Sequence, residues 1–251
     1  MRCTLSIIFI LLMPLFSWAV EEQSHIVEYD VRFSSILIAQ AIFKTSTLEK
    51  HYRISASIKA IGLFNMISSL SARMNVEGDV IGDQLHSTSY ILSYIYKKKK
   101  RFFEVKYQND FVKTYQVIPK KTLFLNDWIK LSENDLLKVI DPISGLLAFK
   151  EDQLCLKKQF IFDGEMRYDL DFLFHGKKNF VTENFSGEAF VCSLNFIPKS
   201  GYRKDHYSIK HLQKSNIEVW FARSPVTHLY APVYASIPVN IGTITIIARK
   251  Y

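Results

Sequence analysis

The sequence predicts a mostly β protein, a curled antiparallel sheet forming an open β-barrel or β-spiral around a short helical plug. Three observations predict it. At least six segments alternate apolar and polar residues one for one, the period of a strand with one face buried. One central stretch, from Ser132, carries a leucine stripe with helix-start chemistry. Cys192 falls on the apolar face of one alternating segment, and Cys155 stands just ahead of another, so a bridge would tie a connecting segment to the inside of the sheet.

The chain opens MRCTLSIIFILLMPLFSWAV, with Arg2 ahead of an uncharged run from Leu5 to Phe16 and small residues at Ser17 and Ala19. That is the pattern of a secretory signal peptide cleaved after Ala19. The competing reading, an uncleaved anchor, needs about 20 apolar residues; this run is shorter and Pro14 interrupts it. Cys3 precedes the apolar run, so it is not the cysteine a lipoprotein would modify. The expectation is a leader at residues 1–19, one curled barrel-like domain at 20–251, and a mature protein in the periplasm.

Export decides how the cysteines read. Of the 3 in the chain, Cys155 and Cys192 outlast the leader. An even pair in an oxidising compartment reads as a disulfide. The bridge would restrict the unfolded chain by about 4 kcal/mol in the chain-entropy account. The alternative is two free buried thiols. Neither cysteine has a second ligand at metal spacing.

The strands follow in chain order. Val27, Tyr29, Val31 and Phe33 alternate with Glu28, Asp30 and Arg32. Ile54, Ala56, Ile58 and Ala60 share a face against Arg53, Ser55, Ser57 and Lys59. Phe103, Val105 and Tyr107 alternate with Glu104 and Lys106. Met166, Tyr168, Leu170, Phe172 and Phe174 form an apolar face, with Asp169 and Asp171 on the wet side and Arg167 beside them. Phe190, Cys192, Leu194 and Phe196 form another, and Ile244, Ile246 and Ala248 close the chain. A hydrophobic fraction of 48% supplies enough apolar residues for a sizeable core.

Two helical pieces are expected in the centre, at Ser132–Val139 and Asp141–Phe149. Ser132 and Asp135 suit a capping box, and Pro142 sits at a first helical position. Leu136, Leu137, Ile140, Ile143, Leu146 and Leu147 supply the stripe that would plug the sheet. A further helix is expected in GLFNMISSLSAR, from Gly62.

Asp141-Pro142-Ile143-Ser144, then Phe162-Asp163-Gly164 with Arg167-Tyr168, then Gly201-Tyr202 and Trp220 give an ordered set of motifs. This order resembles the domain-of-unknown-function 3108 family of exported Gram-negative bacterial proteins, from about Tyr29 to the C-terminus. The resemblance implies curled, half-open β-barrels like those of periplasmic lipoprotein carriers and envelope-integrity proteins. It assigns no role to Asp141, Pro142, Ser144, Phe162, Asp163, Gly164, Arg167, Tyr168, Gly201, Tyr202 or Trp220. Phe221-Ala222-Arg223 after Trp220, and the lysine run in mid-chain, depart from the family pattern.

That run is Lys97, Lys98, Lys99, Lys100 and Arg101. It reads as a solvated hairpin tip, or as a contact for an anionic lipid surface. The chain's net charge of +8 suits anionic envelope surfaces better than nucleic acid. The 7 histidines show no metal-binding spacing, and there is no nucleophile elbow or phosphate loop. No catalytic residue, metal or cofactor is therefore expected. The function expected is a non-enzymatic envelope protein that binds a lipid, a lipoprotein tail or a protein partner on a concave apolar sheet. A periplasmic hydrolase with dispersed catalytic residues is the alternative.

Overall fold

The computed structural model describes residues 22–120, 127–156 and 158–251. The expected leader lies outside them. Among the described residues no helix is long and apolar enough to cross a membrane.

The first half is a meander. β1 (Gln23–Phe33), β2 (Ile36–Leu48) and β3 (His51–Ala60) lead to a short helix α1 (Gly62–Ser68). β4 (Ser71–Ile81), β5 (Gln84–Tyr96), β6 (Lys99–Gln108) and β7 (Phe111–Ile118) follow. A two-residue strand β8 (Trp128–Ile129) opens an irregular centre, which ends at β9 (Gln159–Phe162). Then come β10 (Arg167–Val181), β11 (Ser186–Ser200), β12 (Tyr202–Arg203), α2 (Tyr207–Leu212), β13 (Ile217–Arg223), β14 (Tyr230–Val239) and β15 (Gly242–Lys250).

All but β8 and β12 join one 13-stranded sheet, in the order β7-β6-β5-β4-β3-β2-β1-β15-β14-β13-β11-β10-β9. Its strands pair antiparallel, and β1 lies beside β15, so the first and last strands are neighbours. The edges β7 and β9 do not pair with each other, so the sheet is open. The chain between them bridges the gap. Leu137 pairs with Phe111 of β7, and Ile140 pairs with Ile161 of β9. The Tyr107 hydroxyl adds a bond of 2.7 Å to the Phe162 carbonyl.

Turn chemistry sets the registers. Gly82-Asp83 and Asn109-Asp110 hold positive φ in two-residue hairpins, as type I′ turns require. Gly164 (φ +98°) turns β9 into β10, where the Asp163 carboxylate accepts the N–H groups of Glu165 (2.9 Å) and Met166 (2.7 Å). At Gly201 (φ +80°) a Cβ would collide with the Glu165 carbonyl. Glycine there lets Tyr202 pair with Ile129 in the small β8–β12 ladder.

The centre departs from the expected helical plug. Ser132 does form the capping box with Asp135, but only one 3-10 turn follows, Glu133–Leu136. The second expected helix is reduced to a 3-10 turn at Ser144–Leu146. The leucine stripe explains why. Leu136, Ile143 and Leu147 pack with Tyr52, Val76, Val105 and Phe162, whereas Ile140 and Leu146 pack with Ile161, Leu170, Leu194 and Val219. Two separated cores are served by one segment, and an extended chain reaches both where a helix would face only one. α2 was not foreseen either.

Cys155 and Cys192 form a disulfide, with Cα atoms 5.7 Å apart. Both are buried with Leu154, Phe172 and Phe190, so the bridge fixes the central segment to the inner face of β11.

Candidate functional site

The inner faces of β1, β2, β3, β10, β11, β13, β14 and β15, with Pro142–Leu147, line a partly open cavity of about 470 Å³. Its wall is made of the residues that strand alternation turns inward: Val27, Tyr29 and Val31 from β1, Leu194 from β11, Val219 from β13 and Ile246 from β15. None of the described residues lining it is Asp, Glu, Lys or Arg.

Tyrosines aside, the polar lining side chains are His25, Thr45, Ser224 and Thr227. They lie at one end. His25 and Thr45 are register partners on β1 and β2. Ser224 and Thr227 belong to the turn between β13 and β14. Tyr251 joins the two sides, with its ring edge-on to His25 at 4.7 Å and its hydroxyl donating to the Ala222 carbonyl at 2.6 Å. The opposite end is lined by Val31, Ile58, Leu212 and Ile237. The cavity is therefore apolar along most of its wall, with these four polar side chains at one end.

His25 is buried, and its Nε2 has no partner among the described residues. Burial pushes its pKa below the ordinary value, against a smaller opposing effect of its bond to the Tyr251 backbone. That bond must use the other ring nitrogen. The neutral ring thus lines the cavity, with Nε2 itself buried and unpartnered. Ser224 already accepts the N–H groups of Val226 (3.2 Å) and Thr227 (3.1 Å), which leaves its hydroxyl proton free to donate.

The motif residues are mostly architectural. Asp141 is fully buried. It accepts the Ser87 hydroxyl and the N–H groups of Ile143 (2.8 Å) and Ser144 (3.0 Å), and the Ser144 hydroxyl meets that of Tyr52 at 2.8 Å. Burial raises the Asp141 pKa, although these hydrogen bonds oppose it. Phe162 is buried against the Tyr115 ring at 5.2 Å. Gly164 approaches β6, where a Cβ would stand 3.2 Å from Val105. Trp220 faces outward under Lys178, whose Nζ is 4.5 Å from its ring. Of the motif set, only Pro142 and Tyr168 reach the cavity wall.

Three expectations are corrected. Asp169 is not on a wet face; it is buried between Arg167 at 2.5 Å and Lys199 at 3.3 Å. Arg167 lies over the Phe160 ring at 5.2 Å, and these neighbours exclude water from an outward-facing position. Phe174 shares the face of its register partner Cys192, with its ring 6.0 Å from that of Phe190, but it is exposed there rather than buried. Arg101 is separated from the lysines, half-buried in an ion pair with Glu165 at 3.2 Å.

Catalytic geometry is weak. The Nε2 atom of His175 lies 2.9 Å from the Ser193 hydroxyl, but the pair is exposed and lines none of the cavities described. Among the described residues no group of three His, Cys, Asp or Glu is placed to hold a metal ion.

The sequence reading missed His25 and the Ser224–Thr227 turn. Extending the β1 alternation back one step from Val27 would have turned His25 inward. The turn carries no comparable signal.

No curated protein matches the chain. A crystal structure described as that of a "putative lipoprotein" from Parabacteroides distasonis is similar at 11% identity, covering 92% of this chain and 95% of that one with a TM-score of 0.31. That likeness is too distant to inform the site. Residues 28–249 match the family described as Protein of unknown function (DUF3108), and the chain belongs to that family.

Proposed function

We propose that this is a non-enzymatic protein of the periplasm, exported by a cleaved signal peptide, that supports the cell envelope by holding an acyl chain of a lipid or lipoprotein. In this reading the open sheet is a half-open barrel, and the central segment plugs only part of it. The observation that carries the proposal is the cavity of about 470 Å³ with no charged side chain among its described lining residues. That size falls in the range of about 300–1,000 Å³ usual for small-molecule sites. Burying a methylene contributes about 0.8 kcal/mol, so roughly ten would supply about 8 kcal/mol before the cost of ordering the chain. The disulfide supports an oxidising compartment.

The test is native mass spectrometry of protein recovered after export, with lipid extraction of the same sample, followed by titration with a palmitoyl ester. A stoichiometric adduct or saturable uptake is expected. Ala235→Trp places a large ring in the cavity and should abolish uptake while leaving the chain folded. Protein that carries nothing and takes up nothing would sink the proposal.

A further inference from the structure

One end of the sheet carries a second feature that does not depend on the cavity reading. Helix α1 packs its base on β2 and β3 but leaves Leu63, Met66 and Ile67 exposed at 79%, 80% and 72%. They are spaced i, i+3 and i+4, so they share one face. Two neighbouring turns add to them. Ile36 is 66% exposed beside the β1–β2 turn, and Ile241 is 84% exposed in the β14–β15 turn. The Ser34 N–H ties these turns together through the Thr243 carbonyl at 2.7 Å. Exposed apolar residues scattered singly are ordinary; five from three adjoining segments at one end are not.

The same end is cationic. The Lys97 N–H donates to the Ser68 carbonyl at 2.6 Å, which fixes the β5–β6 turn against the end of α1. Lys97 and Lys98 both hold positive φ, of +48° and +63°. The other two-residue I′ turns place Gly82-Asp83 and Asn109-Asp110 there, the residue types that accept this backbone. Two lysines do so against local preference, and such an outlier points to a role for the side chains. Beside them is a cleft of about 710 Å³ lined by Lys59, Arg73, Lys100 and Arg101 and by no carboxylate. Among the described residues, none of Lys59, Arg73 and Lys97 to Lys100 pairs with a carboxylate.

We infer that this end docks on the surface of an anionic lipid bilayer. Leu63, Met66 and Ile67 enter the headgroup boundary while Lys97–Lys100, Lys59 and Arg73 meet the lipid phosphates. Apolar side chains ringed by free cations match a surface that is anionic outside and apolar beneath. A protein partner would have to combine the same two properties.

The test is sedimentation with vesicles of phosphatidylcholine, with and without phosphatidylglycerol, over a salt series. The protein is recovered after export and its N-terminus checked by mass, so that the Leu5–Phe16 run is not what partitions. Binding to the anionic vesicles is expected, fading as salt rises because exposed charges are screened over about 10 Å at 0.1 M. Lys97→Asn with Lys98→Gly gives the turn its preferred residues, so the fold is kept or strengthened. Removal of two charges should weaken partitioning about thirtyfold at low salt. Met66→Glu should weaken it at every salt concentration. No binding of the unaltered protein at low salt would overturn the inference, as would unchanged binding of both variants. Self-association that Met66→Glu abolishes, without vesicle binding, would also overturn it and assign the patch to a second copy of the chain.

Discussion

Two regions lie under one continuous sheet. Between β3 and β6 the inward residues Tyr52, Met74, Val76, Phe103 and Val105 close on Phe162 and on the apolar side chains of the central segment. Across β1, β11, β13 and β14 the inward residues Val27, Leu194, Val219 and Ile237 face the cavity. The strands are alike in pattern, so the difference lies in where the connecting chain goes. That chain brings its backbone with it, and buried backbone must be hydrogen-bonded. The filled region accordingly contains the Ser87–Asp141–Ser144–Tyr52 network. The hollow region receives little backbone and has few polar groups to satisfy, so the space beside its strands stays open.

The largest effect should expose this contrast directly. Phe162→Ala empties a fully buried site in the filled region and should cost about 3–5 kcal/mol. Ile237→Ala borders space that already exists and should cost roughly 1–2 kcal/mol, mainly the transfer of the lost atoms. Urea midpoints of the two variants check the ranking. Equal losses would mean that the cavity collapses around its wall and is not a persistent space.

The disulfide comes next. It holds the central segment against β11, on the boundary between the two regions. Cys192→Ser should lower stability by about 3 kcal/mol. It should also loosen the cavity wall more than the filled core. Hydrogen exchange should then accelerate first around Ala148–Leu154 and along β11, with β4 and β5 least affected. Uniform acceleration would place the bridge in a purely global role.

Asp141 gives a smaller effect with a definite sign. Burial holds its carboxyl above the ordinary range. The folded state therefore keeps the proton to higher pH than the unfolded chain does. Stability from this group is full below the unfolded value and is lost as pH rises from there through the folded value. Asp141→Asn retains an acceptor for Ile143 and Ser144 and can donate to Ser87. The difference in stability between the original protein and this variant should move in the variant's favour across that window. Urea titrations at a series of pH values measure it. A constant difference would show that Asp141 does not titrate on folding.

How much of this was legible depends on the kind of signal. Strands with one wet face, such as those holding Val27–Phe33 and Ile54–Ala60, state their faces in the alternation itself. The stretch at Asp141–Phe149 does not, because Pro142 and the leucine spacing fit a helix as well as an extended chain visiting two cores. Only the position of those cores decides. The disulfide could be read because export leaves two cysteines. The cavity's polar end could not, because His25 and Ser224 lie far apart in sequence and meet only when β1 closes against β15. Asp169 misled for a related reason: alternation reports the direction of a side chain but not what covers it.

The smallest predicted effect concerns which way a guest would lie. His25 stands at one end of the cavity with its Nε2 buried and unpartnered, and the other end is lined by Val31, Ile58, Leu212 and Ile237. A ligand with a hydroxyl beside its chain should place that hydroxyl at His25 and its tail toward Ile58 and Ile237. A neutral hydrogen bond contributes about 1 kcal/mol net, close to a fivefold change in affinity. His25→Leu should therefore weaken binding of a monoacylglycerol about fivefold and leave a plain hydrocarbon of equal length unchanged. Because burial depresses the His25 pKa, the folded state resists protonation. Its stability is full above the ordinary histidine value and is lost as pH falls through the folded value, a loss that His25→Leu should remove. Calorimetric titration of both ligands at neutral pH, with melting curves from neutral to mildly acidic pH, reads both effects. If the two ligands weaken together, or neither does, the hydroxyl does not sit at His25 and the guest lies the other way round.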